Sequence, residues 1–120
     1  YELDVEKMND AAKILLNHTD FKCFSKSNTD VSTYNCDVRE AIWKQKDNLL
    51  VFHITADRFL RNMVRAIVGT LINVGLGKNS IEDIIKIIES RNRSEAGLSV
   101  PARGLFLTRI EYPKTIIGNE

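Results

Sequence analysis

The sequence predicts an α+β fold in which helices pack on one face of a mainly antiparallel sheet. Two neighbouring stretches alternate apolar and polar residues across Lys46, Asp47 and Asn48, as the arms of a hairpin do. Other stretches repeat apolar residues at the i, i+3, i+4 spacing of a helix face. The order helix, strand, strand, helix, helix, strand lacks the regular βα alternation that builds a parallel sheet.

The bulk numbers suit one domain, residues 1–120. With 120 residues and 43% apolar content, the chain is long enough for one core and too short for two ordinary ones. The net charge of +1 hides an uneven distribution: Tyr1 to Asp20 carries −3, Ala41 to Arg65 carries +3 and Arg91 to Glu120 carries +2. Cys23 and Cys36 show no metal-ligand spacing, and no stretch reads as a signal peptide or membrane span. A reduced, cytoplasmic protein is the expectation. Tyr1 stands three residues before a helix cap and no methionine opens the chain, so the sequence is expected to be part of a longer protein.

Asp4 is placed to cap a first helix whose apolar side is Val5, Met8, Ala12 and Leu15, broadened by Ala11 and Leu16 and ended near Asn17 and His18. From Thr19 to Thr33 the periodicity fails and polar residues accumulate, so a loop anchored by Phe21 and Phe24 is expected. Tyr34 to Gln45 is a strand whose phase slips near Glu40 and Ala41, as a bulge makes it. Leu49 to Ala56 pairs with it, with Leu50, Phe52, Ile54 and Ala56 on one face and Val51, His53 and Thr55 on the other.

The longest helix is expected from Leu60, with Met63, Val64, Ile67, Val68, Leu71 and Ile72 facing the core and Gly75 or Gly77 closing it. Gly69 inside it implies close packing. Ser80 and Asp83 form a capping box for a further helix that buries Ile81, Ile84, Ile85 and Ile88. A polar loop from Arg91 to Pro101 leads to a third strand in GLFLTRIEYP, ended by Pro113. Three strands with open edges make a thin sheet, which a missing half is expected to complete.

Elimination narrows the chemistry. His18 and His53 stand far apart in sequence, which gives a histidine metal site or triad little support. The cysteines lack an activating neighbour, and Cys36 reads as a small buried hydrophobe. VGLGK lacks the spacing and ending of a P-loop and reads as a helix cap. Of the carboxylates Asp20, Asp30, Asp37 and Asp57, none is paired by spacing, and Asp57 most simply caps the long helix.

What survives is an arginine stripe, Arg58, Arg61 and Arg65, along the first turns of the long helix. Cations there oppose the helix macrodipole, so an anion is implied: a carboxylate from elsewhere, a neighbouring subunit or a phosphate. Solvated side chains explain Arg58 and Arg61 equally well. Arg65 lies among apolar neighbours and calls for a neutralising partner. Arg91, Arg93, Arg103 and Arg109 form a second group, either phosphate-facing or merely solvating a loop.

FLRNMVRAIVGTLINVGLG, with LDVEKMNDAAKILLNHTDFKCF before it and GLFLTRIEYP after it, resembles the C-terminal half of bacterial tRNA pseudouridine synthases of the TruA type. The matching positions are Asp20, Phe21 and Phe24, then Phe59, Leu60, Met63, Val64 and Arg65, then Gly104, Leu105 and Leu107. The resemblance implies the C-terminal lobe of the pseudouridine synthase fold, from an isomerase that acts on tRNA at positions 38, 39 and 40 of the anticodon stem-loop. It further implies a homodimer working without cofactor or metal.

By the same resemblance Arg65 pairs with the nucleophilic aspartate, and Leu105 or Leu107 packs against the target uracil. Arg61 and Asn62 replace the family's usual polar or histidine residues, a change on the cleft side that touches RNA contacts. The family's Gly-Arg-Thr-Asp-Ala-Gly motif is missing, and Tyr1, Tyr34 and Tyr112 do not fit its active-site tyrosine. The chain alone is therefore expected to be inactive, with Arg65 facing an open groove and Arg58 and Arg61 meeting phosphates. The rival reading is a non-catalytic RNA-binding or dimerisation module.

Overall fold

The computed structural model describes residues 3–26, 33–47, 49–97 and 110–111, with residues 46, 49, 110 and 111 described by backbone only. The elements are α1 (Val5–Ile14), β1 (Val38–Lys46), β2 (Leu49–Ala56), α2 (Met63–Gly75), α3 (Ile81–Ser90) and β3 (Ile110–Glu111). That is the expected order, and it makes an α+β fold with a sheet ordered β1-β2-β3.

Asp4 caps α1 by accepting the Lys7 N–H at 3.1 Å. Met8, Ala11, Ala12 and Leu15 are buried on the expected face. Leu16, expected to broaden that face, is 42% exposed. The chain tightens into a 3₁₀ turn over Leu15–Asn17, and the larger rotation per residue swings Leu16 outward.

β1 and β2 pair antiparallel from Val38 opposite Ala56 to Lys46 opposite Leu49, with the register shift between Val38 and Glu40. The bulge therefore falls at Arg39, just before its expected place. The strand starts at Val38 rather than Tyr34 because the preceding backbone is committed elsewhere. The Phe21 N–H donates to the Tyr34 carbonyl at 3.0 Å, the Cys36 N–H donates to the Thr19 carbonyl at 2.8 Å, and Asp20 bridges Asn35. Val38, Ala41, Trp43, Phe52, Ile54 and Ala56 line the face that joins the helices in one core, which also holds Phe21 and Phe24. β3 pairs parallel with β2, Ile110 opposite Ile54 and Glu111 opposite Thr55. The rest of the predicted third strand, Leu105 and Leu107 included, lies outside the described residues.

The largest departure is the start of the long helix. α2 begins at Met63, and Asn62 before it has φ +67, a left-handed conformation that a continuous helix excludes. Leu60 is buried, as its spacing suggested, but from a turn in which the Met63 N–H donates to the Leu60 carbonyl at 3.0 Å. At the other end Gly77 takes φ +82 and closes α2 as expected. The Ser80 and Asp83 capping box opens α3. Its buried side is Ile84, Ile87 and Ile88, with Ile85 37% exposed, so the face is turned from the expected one by about one position.

Candidate functional site

Arg65 is the third residue of α2, between buried Val64 and Ala66. Its own side chain is half-buried. Arg65 is not without a partner, which corrects the expectation that it is left unpaired. A cation in the first turn of a helix works against the positive end of the macrodipole.

Arg58 and Arg61 do not form a helical stripe with it, because both precede α2. The Arg58 guanidinium turns back across the sheet end, where Nη1 donates to the Thr33 carbonyl at 3.3 Å, the Thr33 hydroxyl at 3.4 Å and the Asn35 carbonyl at 3.3 Å. It braces the loop. Arg61 is exposed, and its carbonyl accepts the Lys26 N–H at 3.0 Å, which sets the exposed Lys26 beside it. Lys22 extends the basic rim, with Nζ 5.6 Å from the centroid of the Tyr34 ring.

The carboxylates do other work than expected. Asp57 does not cap α2. Its Oδ1 accepts the Asp37 N–H at 2.7 Å, and its own N–H donates to the Asp37 carbonyl at 3.1 Å. This pair of hydrogen bonds stitches the start of β1 to the end of β2. Asp37 in turn pairs with Arg39 at 3.0 Å. Asp20 accepts the Lys22 N–H through Oδ1 at 3.0 Å and pairs with Arg91 through Oδ2 at 2.8 Å. Arg91 is therefore a partner for Asp20, and Arg93 donates to the Gly97 carbonyl at 3.1 Å. Both thus have partners within the chain, while Arg103 and Arg109 lie outside the described residues.

Both cysteines are buried thiols. Burial above all, with the Asp20 charge second, pushes Cys23 up to about 12, and burial pushes Cys36 up to about 11. Neither forms a thiolate at neutral pH. His53 is half-buried on β2, and His18 is half-buried just past the 3₁₀ turn that follows α1. Among the described residues no three His, Cys, Asp or Glu side chains group to hold a metal, and no helix is long and apolar enough to cross a membrane.

The half-buried, helix-borne Arg65 and the exposed pair Arg61 and Lys26 are cationic groups able to meet anions. A family model described as tRNA pseudouridine synthase matches residues 11–113. The chain belongs to the tRNA pseudouridine synthase family. Proteins named tRNA pseudouridine synthase A are similar to it. The one from Bacteroides fragilis is 56% identical over 115 residues, 95% of this chain and 46% of that protein. The one from Porphyromonas gingivalis is 56% identical over 117 residues, 96% and 46% of the two chains. That from Parabacteroides distasonis is 51% identical over 118 residues, 98% and 47%. The chain spans about half the length of these relatives.

Within this member of the family, the sequence reading missed two features, one at the end of the loop from Thr19 to Lys26 and one inside α2. Lys26 comes next to Arg61 across 35 positions, and nothing in local spacing signals that approach. Thr70, inside the apolar run of α2, is buried to 1% and bonds across to Gly97. A hydroxyl amid apolar neighbours was a usable signal for it, since such a group must find partners.

Proposed function

We propose that this chain is the C-terminal lobe of an enzyme that isomerises uridine to pseudouridine at positions 38, 39 and 40 of the tRNA anticodon stem-loop. The intact protein acts as a cytoplasmic homodimer without metal or cofactor. Substrate and product are isomers that differ in which uracil atom bonds the ribose, so no electrons or groups enter or leave.

The missing half supplies the nucleophilic aspartate. Arg65 meets that carboxylate and keeps it ionised, as a cation within a few ångströms does. Leu105 or Leu107 forms the apolar wall for the extruded base. Exposed Arg61 and Lys26 contact phosphates, and Arg58 contributes field from its braced position.

The observation that carries this reading is the family match over residues 11–113. The half-buried position of Arg65 near the start of α2 is consistent with it. The test is the whole protein on unmodified tRNA, with pseudouridine mapped by carbodiimide adducts that stop primer extension. Adducts at 38, 39 and 40 are expected, and none with this chain alone. RNA binding by the whole protein without any isomerised base would instead support a non-catalytic RNA-binding module.

A further inference from the structure

We propose that Thr70 is a positioning residue: its hydroxyl locks Gly97 onto α2 and holds the chain there in register with the turn that carries Arg65. The inference rests on the proposed function. Thr70 lies in the middle of α2 and is 1% exposed, where valine has the same shape and no polar atom to satisfy. The hydroxyl works as both donor and acceptor. It donates to the Ala66 carbonyl at 2.8 Å and accepts the Gly97 N–H at 2.8 Å. Ala66 directly follows Arg65, so the hydrogen bonds run from Gly97 through Thr70 to the carbonyl of the residue after that arginine.

Gly97 is fitted to the same place from its own side. A Cβ on it would stand 2.8 Å from Asn73 Nδ2, 3.0 Å from Thr70 Cα and 3.1 Å from Thr70 N. Asn73 can swing aside, but the helix backbone has little room to give, so an added methyl would push the chain at residue 97 off α2 by a few tenths of an ångström. The Gly97 carbonyl accepts from Arg93 Nη1 at 3.1 Å, which leaves both peptide groups of the residue engaged. Loop backbone usually turns to water. Three contacts converging on one loop glycine fix its position along α2, five residues or about 7.5 Å of helix rise beyond Arg65.

Thr70→Val, Thr70→Ser and Gly97→Ala are compared in the whole protein, below the melting temperature of each, by single-turnover isomerisation of tRNA, tRNA affinity and hydrogen exchange at residue 97. A displacement on the scale of an ångström lowers the rate in Thr70→Val at least about tenfold. Affinity stays within about twofold, because the loss falls on the transition state rather than on binding. Thr70→Ser keeps the hydroxyl and the rate, and Gly97→Ala is slowed as Thr70→Val is. A clip that served stability alone would lower the melting temperatures and leave the rates of folded protein unchanged.

Wild-type rates in both folded Thr70→Val and Gly97→Ala, or equal slowing in Thr70→Ser and Thr70→Val, would overturn the proposal. Should Thr70→Val not fold, the Gly97→Ala rate decides alone. Absence of a protected Gly97 amide in the wild type would overturn it as well. A wild-type protein that isomerises no uridine overturns the proposed function instead, so the two failures are distinct.

Discussion

The side chain of Asn9 on α1 clasps the backbone of Trp43 on β1 from both sides. Oδ1 accepts the Trp43 N–H at 2.6 Å, and Nδ2 donates to the Trp43 carbonyl at 3.1 Å. Trp43 lies opposite Phe52, and its peptide groups point away from β2, toward what would be an open sheet edge. One amide thus stands in for a neighbouring strand. Asn9→Ala is expected to lower stability by about 1–3 kcal/mol, because a donor and an acceptor lose their partners together. Denaturant melts followed by fluorescence measure this directly, since Trp43 is the single tryptophan. An unchanged midpoint would mean that water replaces the clasp at no cost.

Asp83 carries a pH signature. Its carboxyl is held below the ordinary carboxylate range, first by the Ser80 backbone N–H at 2.8 Å, with desolvation acting in the opposite direction. A depressed folded value means that the stabilisation is present above the unfolded pKa and is lost as pH falls through the folded one. Wild type and Asp83→Asn should therefore differ in stability at neutral pH and converge in acid. Melts at a series of pH values check it, and a gap that persists undiminished in strong acid would contradict the assignment.

The buried thiols give the opposite sign at the alkaline end. With Cys23 pushed from 9.0 to about 12 and Cys36 to about 11, the folded state keeps its protons while the unfolded chain loses them. Their contribution is complete below pH 9 and declines above it. A thiol reagent at neutral pH should label neither residue in the folded chain and both on unfolding. Rapid native labelling of Cys23 would show that the site opens locally.

Lys26 and Arg61 should act as separate phosphate contacts. Replacing either by glutamine is expected to weaken tRNA binding by the whole protein and to reduce the log–log salt slope by roughly 0.7 to 0.9. The single-turnover rate at saturating RNA should stay near that of the wild type. Titrations at several salt concentrations separate this from a fold defect, which would lower the active fraction and leave the slope alone.

Arg65→Met removes the charge and keeps most of the volume. In the whole protein the rate of isomerisation should fall at least about a hundredfold, because an aspartate left without its cation in a low-dielectric cleft resists ionisation. Since Arg65 is half-buried and engaged, stability should fall too, by about 1 kcal/mol or somewhat more. A folded variant with near wild-type single-turnover kinetics would reduce Arg65 to a packing residue.

The sequence by itself determined what depends on near neighbours: the Asp4 cap, the Ser80 and Asp83 box, the hairpin, a closing glycine at one of two positions past α2 and the burial of Phe21 and Phe24. Capping and periodicity are local, so spacing reveals them. The arginine stripe failed because Leu60 and Met63 keep a helical spacing while Asn62 between them is left-handed, and an apolar count does not register a backbone reversal. Only the tertiary structure decided that Asp57 binds Asp37 rather than α2, and that Asp20 takes Arg91. It alone brought Lys26 to Arg61 and Gly97 to Thr70. Each of these contacts joins residues at least 20 positions apart. Partner choice at that range is set by which elements the common core brings together, and no window along the chain contains both members of the pair.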